Sequence, residues 1–156
     1  MMFTSSFLKT IFSLLILAGV SACSHIKTGD RLSTADINYI KGLGILDKDE
    51  KIILFESHTG TLNSLKTSGS YFTDKRIASY WIDNSNKQQT TINSAYYSEI
   101  DTIKTVDLSH ALTMASYLSV VKNDGQTFNV FISPNEEETL RFFSTAISEW
   151  RQHSQR

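Results

Sequence analysis

The stretch from Leu112 to Glu136, LTMASYLSVVKNDGQTFNVFISPNE, decides the fold. Residues 112–122 are long and apolar, as expected of a strand buried on one face and part of the other. Asn123-Asp124-Gly125 then signals a hairpin, because Asp-Gly tolerates the positive φ that primed turns need. Phe128, Val130 and Ile132 alternate with the polar Thr127 and Asn129, the period of a second strand. Ser133-Pro134-Asn135-Glu136 changes the period: a hydroxyl cap, a proline at the first helical position and an acid at the third start a helix. Glu136, Glu137 and Glu138 suit the positive end of its dipole. Leu140, Phe143, Ile147 and Trp150 fall on one face at helical spacing.

Upstream, the same strand grammar repeats. Residues 51–57 are β-branched and aromatic and close at His58-Thr59-Gly60, and a weaker strand covers 69–73. Residues 76–82 form another, in which one of Tyr80 and Trp81 belongs to the core and the other is partly exposed. The turn Asp83-Asn84-Ser85-Asn86 leads to a weak alternation over 89–95 and a clear one over 100–106, with Ile100 and Ile103 on opposite faces. Seven strands with regular turns predict a mainly β (α+β) antiparallel sandwich or barrel. Ser33-Thr34-Ala35-Asp36 resembles a helix-start box, giving a short helix over 35–41 that stops at Gly42.

The N-terminus has a different character. One positive charge, Lys9, precedes an apolar run over 11–20 and the small residues Ser21 and Ala22, the parts of a secretory signal peptide. That run is too short for a span, which needs roughly 20 apolar residues. Val20-Ser21-Ala22-Cys23 fits a lipobox, cleaved before a cysteine whose thiol carries diacylglycerol. Cys23 is the chain's single cysteine, and lipidation accounts for a lone cysteine in an exported protein. The expected product is a lipoprotein held through Cys23 to a bacterial membrane. Ser24, rather than aspartate, after the cysteine points to the outer membrane facing the periplasm. Acyl burial at about 0.8 kcal/mol per CH₂ makes such an anchor permanent in effect. The expected organisation is a signal peptide over 1–22, a lipidated polar tether over 23–32 and a domain over 33–156.

Without residues 1–22 the chain has 134 residues, one domain's length, with 14 Lys and Arg against 16 Asp and Glu, a formal −2. A balance so near neutral argues against nucleic acid and against electrostatic membrane binding. Six of the nine Phe, with all six Tyr and both Trp, remain to supply a core.

Leu46-Asp47-Lys48-Asp49-Glu50-Lys51-Ile52-Ile53 resembles the opening of bacterial pleckstrin-homology-like and GRAM-type domains. Tyr71-Phe72-Thr73-Asp74-Lys75-Arg76-Ile77 is similar to their second-strand signature, and Tyr97-Ser98-Glu99-Ile100-Asp101-Thr102-Ile103 to the strand that follows. With the Asp124-Gly125 hairpin and a final helix ending near Trp150, the resemblance covers residues 45–151. It implies a seven-stranded, bent antiparallel barrel plugged by a C-terminal helix. Some relatives bind phosphoinositides through basic residues in the first hairpin, but the matching loop, 57–70, offers only His58 and Lys66, so no phosphoinositide is expected.

Little catalytic chemistry is legible. His25 lies in the tether, His153 in a mobile tail, and His58 and His110 in loops, with no HxH or HExxH spacing, so neither a metal nor a cofactor is expected. No GxSxG, P-loop or GxGxxG appears, and Gly42-Leu43-Gly44 is an isolated GxG. Lys75-Arg76 reads as an exposed turn and strand start rather than an anion site. No catalytic residue is assigned. Two functions remain: a non-enzymatic module that binds another envelope protein, or a carrier or sensor of a small apolar ligand in the barrel interior. The abundant Phe, six of them within the domain, favour a packed interior and hence the first. In the wider pleckstrin-homology superfamily, peptides add to a sheet edge beside the C-terminal helix, which makes Ile103, on 100–106, and Phe142, expected to be partly exposed, the candidate partner contacts.

Overall fold

The computed structural model of the chain describes residues 26–57, 64–111, 114–132 and 136–154. It is mainly β. β1 (Ile26–Thr28), β2 (Ile52–Glu56), β3 (Ser68–Thr73), β4 (Arg76–Trp81) and β5 (Thr91–Tyr96) form one antiparallel sheet in that order. β6 (Ile100–Val106), β7 (Ser116–Lys122) and β8 (Thr127–Ile132) form a second. Helix α1 (Thr34–Gly42) lies between β1 and β2 in sequence, and α2 (Glu136–Ser154) ends the described chain. Among the described residues there are thus eight strands in two sheets rather than seven in a closed barrel.

The eighth strand is the surprise. The polar stretch expected to be a tether contributes β1, which pairs with β2 through Ile26↔Glu56 and Thr28↔Leu54. Ile26 is 2% exposed, Leu32 is buried, and both enter the core. Lys27 and Thr28 stay exposed, so too few apolar residues mark this strand for a period to show. Gly29, in the turn Gly29–Arg31, fixes the segment, since a Cβ there would lie 1.9 Å from the Ile52 carbonyl oxygen. Gly29→Ala is therefore expected to lift residues 26–32 off the sheet. It should destabilise the domain by about 1–3 kcal/mol and strip amide-exchange protection from Ile26–Thr28. Unchanged protection would show that the close approach does not hold the strand.

Other elements follow from local chemistry. Ser33 caps α1 in a reciprocal box: its hydroxyl accepts from the Asp36 amide at 3.2 Å, and Asp36 accepts from the Ser33 amide at 3.1 Å. The helix runs through Gly42, and the chain turns away at Gly44, whose φ is +77°. Gly125, at φ +83°, supplies the positive φ of the β7–β8 turn. Ser133-Pro134-Asn135, the expected cap of α2, lies outside the described residues, while Glu136, Glu137 and Glu138 form its first turn.

Two apolar clusters hold the sandwich. The main one lies between the sheets and α2: Leu118, Val120, Val130, Ile132 and Phe142 have no exposed surface, and Phe72 meets Phe142 edge-on at 4.9 Å. The second lies on the other face of the large sheet, where Ile40 of α1 joins Tyr71, Tyr80, Phe55 and Leu65. Three phenols tie strands to distant carbonyls. Tyr71 donates to Ile45 at 2.6 Å, Tyr80 to Leu65 at 2.5 Å and Tyr97 to Thr73 at 2.8 Å.

Candidate functional site

Three places on the fold carry clustered chemistry. The first joins two of the motifs quoted above. Arg76, 4% exposed, donates from Nε to Glu50 Oε1 at 2.8 Å and from Nη2 to Asp47 at 2.7 Å. Its guanidinium lies 4.0 Å from the centre of the Tyr96 ring and donates to the Tyr96 hydroxyl, which itself donates to Asp47 at 2.7 Å. Glu50 uses its other oxygen to accept from the Asp47 amide at 3.3 Å. Burial pulls the guanidinium pKa down, but the Glu50 hydrogen bond and charge, with Tyr96 and Asp47, outweigh it and leave the group above its usual range. Lys75 pairs with Asp49 at the surface, and the Lys51 amide donates to Asp74 at 3.1 Å. Both acids are paired to Arg76, so the cluster pins residues 47–51 to the β3–β4 hairpin, with Glu50 fully buried and Asp47 half exposed. Lys75-Arg76 is the turn and strand start expected, with Arg76 opening β4, but Arg76 is buried where exposure was expected.

The second place is the outer edge of β6 with the neighbouring helix α2. β6 is the outer strand of its sheet, pairing with β7 on one side only. A register shift between Ile100 and Thr102 turns Ile103 inward, so Ile100 and Ile103 both pack against the main cluster instead of facing opposite ways. Asp101, Lys104 and Thr105 are exposed. Phe142 is not partly exposed as expected: its side chain is wholly buried against Phe72, which removes it as a contact. Leu140, expected in the core, is 52% exposed instead. The buried face of α2 is Thr139, Phe142, Phe143 and Ala146, because small Thr139 and Ala146 let the helix approach closely where Leu140 would hold it off. An open groove of about 590 Å³ follows on α2, lined by Ser144, Ile147, Ser148, Arg151 and Gln152.

The third place is the end of the sandwich where β4 stops and β5 starts. Cross-strand pairs Ile77↔Ala95, Ser79↔Asn93 and Trp81↔Thr91 step along the inward face of the large sheet. Ile77 and Ala95 are core, Ser79 and Asn93 are polar, and Trp81 is 47% exposed. The inner face thus loses its apolar character toward this end. There it opens into a cleft of about 400 Å³ lined also by Phe128, Asn129 and Phe131 of β8, with no charged side chain among the described residues that line it. Tyr80 and Trp81 divide as the alternation predicts, Tyr80 being 2% exposed.

Of the histidines, His110 is exposed in a turn. His153 sits on α2, its ring stacked on Tyr97 at 5.7 Å, rather than in a mobile tail. His25, His58 and the lipobox residues Val20, Ser21, Ala22 and Cys23 lie outside the described residues. Among the described residues, no group of three or more His, Cys, Asp or Glu side chains could hold a metal, and no helix is long and apolar enough to cross a membrane.

No protein-family model matches the chain. No curated protein matches it. Among solved structures the chain is similar to a DUF1696 family protein with a pleckstrin-homology domain from Shewanella loihica, with 14% identity and a TM-score of 0.47 over 76% of this chain and 92% of that one.

Proposed function

We propose that the protein is a lipoprotein, anchored through Cys23 to a bacterial outer membrane, whose pleckstrin-homology-like domain is a non-catalytic module that binds an extended segment of another envelope protein. The lipobox Val20-Ser21-Ala22-Cys23 supports the anchor. The observation that carries the binding role is the free outer edge of β6 beside α2. An unpaired edge offers a row of backbone donors and acceptors to an added strand. Exposed Leu140 and half-buried Ile147 are apolar groups on the neighbouring helix, and they replace Phe142 in the role of contact. Asp101 and Lys104 on the edge discourage pairing between copies, which favours a partner of a different kind. The space between the sheets is filled by side chains with no exposed surface, which favours this reading over an apolar ligand held inside.

A photo-crosslinking amino acid placed at Lys104 or Leu140 of the lipidated protein in intact cells should give one discrete protein adduct, and none from Asn38 on exposed α1. Adducts of equal yield from all three positions would refute the edge as the binding surface. In the same cells, Cys23→Ser should abolish incorporation of a fatty-acid probe and release the protein from the membrane fraction. Undiminished label would remove the anchor.

A further inference from the structure

The short distance between the anchor and the sheet sets how the domain meets its membrane. Ile26 stands in one cross-sheet row with Glu56, Ser70, Ser79 and Asn93. β1 runs antiparallel to β2, so its first residue, Ile26, is the one nearest the end of the sheet where β2 stops, β3 starts, β4 stops at Trp81 and β5 starts at Thr91. That is the end that carries the open cleft. Cys23 precedes Ile26 by three residues, a reach of at most ~10 Å when fully extended. Trp81 lies two residues beyond Ser79 in the same direction, about 7 Å along the strand. Nearly the whole reach of the link is therefore matched by the projection of β4 beyond that row, before the indole is counted.

The groups at this end suit a lipid surface. Trp81 is 47% exposed, Ile92 41% and Phe131 41%, so each keeps a large apolar surface that a bilayer could cover. Among the described residues no charged side chain lines the cleft between Trp81 and Phe131, so none of these groups must be stripped of water at high cost. In the β4–β5 turn, the Asp83 carboxylate is engaged by the Ser85 hydroxyl at 2.7 Å and by the Ser85 and Asn86 amides. Tryptophan gathers at the boundary of headgroups and hydrocarbon because one ring satisfies both.

We propose that the open end of the sandwich, with Trp81, Ile92 and Phe131, rests in the headgroup layer of the bilayer that holds the acyl chains of Cys23. The inference rests on lipidation of Cys23. It makes the lipid surface a second binding partner, engaged by apolar contact rather than by charge, and it leaves the domain one orientation in place of free swinging on a tether.

The test uses the full lipidated protein in phosphatidylcholine vesicles, with and without brominated acyl chains as a quencher. Trp81 and Trp150 are the chain's two tryptophans, so Trp150→Phe isolates Trp81. Its emission should shift to the blue on reconstitution and be quenched by bromine, as expected of an indole at the interface. Trp81→Phe leaves Trp150, whose indole N–H is buried on α2, and should be little quenched. If Trp150→Phe does not fold, the quenching that Trp81→Phe removes from the unmodified protein gives the same reading. Vesicle flotation separates the two ideas. Protein that floats with Trp81 unquenched overturns the docking and leaves the anchor standing; protein that carries no acyl chain and does not float overturns both.

Discussion

Arg76→Ala is expected to cost the domain about 3–5 kcal/mol, because it strands the Glu50 carboxylate, which has no exposed surface, without its counter-charge. Domains of this size are stable by about 5–15 kcal/mol in all, so the melting temperature should fall by roughly 10–20 °C. The loss belongs to the broken pair, not to the charge as such. Joining Arg76→Met to Glu50→Leu should recover much of the stability, since an apolar pair of similar bulk avoids the desolvation that both ions suffer. Lys75→Ala, which removes only the surface pair with Asp49, should leave melting nearly unchanged. Calorimetry on the soluble domain decides the matter. Arg76→Ala melting within a degree or two of the parent would mean that the buried network is dispensable.

Raising the pH should unfold the domain steeply. Tyr71, Tyr80 and Tyr97 are at most 2% exposed, and burial pushes all three phenols far above their ordinary range. In the unfolded chain they ionise near pH 10. Above that pH the unfolded state has lost three protons that the native state keeps, so stability falls as pH rises. The stabilisation is complete below pH ~10 and drains above it at about 4 kcal/mol per pH unit, three groups at about 1.4 each. Denaturant midpoints at about pH 9 and about pH 11 would display the slope. Phenolate absorbance from these rings should appear together with loss of the β signal in circular dichroism. Absorbance that rose to its full extent in a still-folded domain would contradict the buried donor roles of the three hydroxyls.

Legibility varied with the range of the interaction. The β7–β8 hairpin, the Ser33 cap and the burial of Tyr80 against the exposure of Trp81 are set by neighbours in sequence, and each is readable there. Arg76 was not: its acids lie 26 and 29 residues away, and no local pattern distinguishes a buried arginine from one at a turn. The motifs around Asp47–Glu50 and Thr73–Arg76 looked like separate family marks, yet they are the two halves of one ionic contact. β1 escaped because a three-residue edge strand with one buried side chain carries no period. Phe142 and Leu140 exchanged roles because hydropathy ranks leucine above threonine, whereas close packing on α2 rewards Thr139 for being small. The shift in β6 that turned Ile103 inward leaves no trace in an alternating sequence.

Every strand in both sheets pairs with its neighbour in sequence, and this meander governs what a growing chain can do. Made from the N-terminus at about 5–20 residues per second, the five strands of the large sheet can pair in turn as they appear. Their inner face, however, keeps Phe72 and Ile77 uncovered until the second sheet arrives, and Phe72 meets Phe142 only when synthesis is nearly over. A chain that stops short of α2 therefore leaves the part of this core that Phe142, Phe143 and Ala146 would cover open to its surroundings. Chaperones and proteases that bind such surfaces can tell an unfinished copy from a finished one by whether the last helix has arrived.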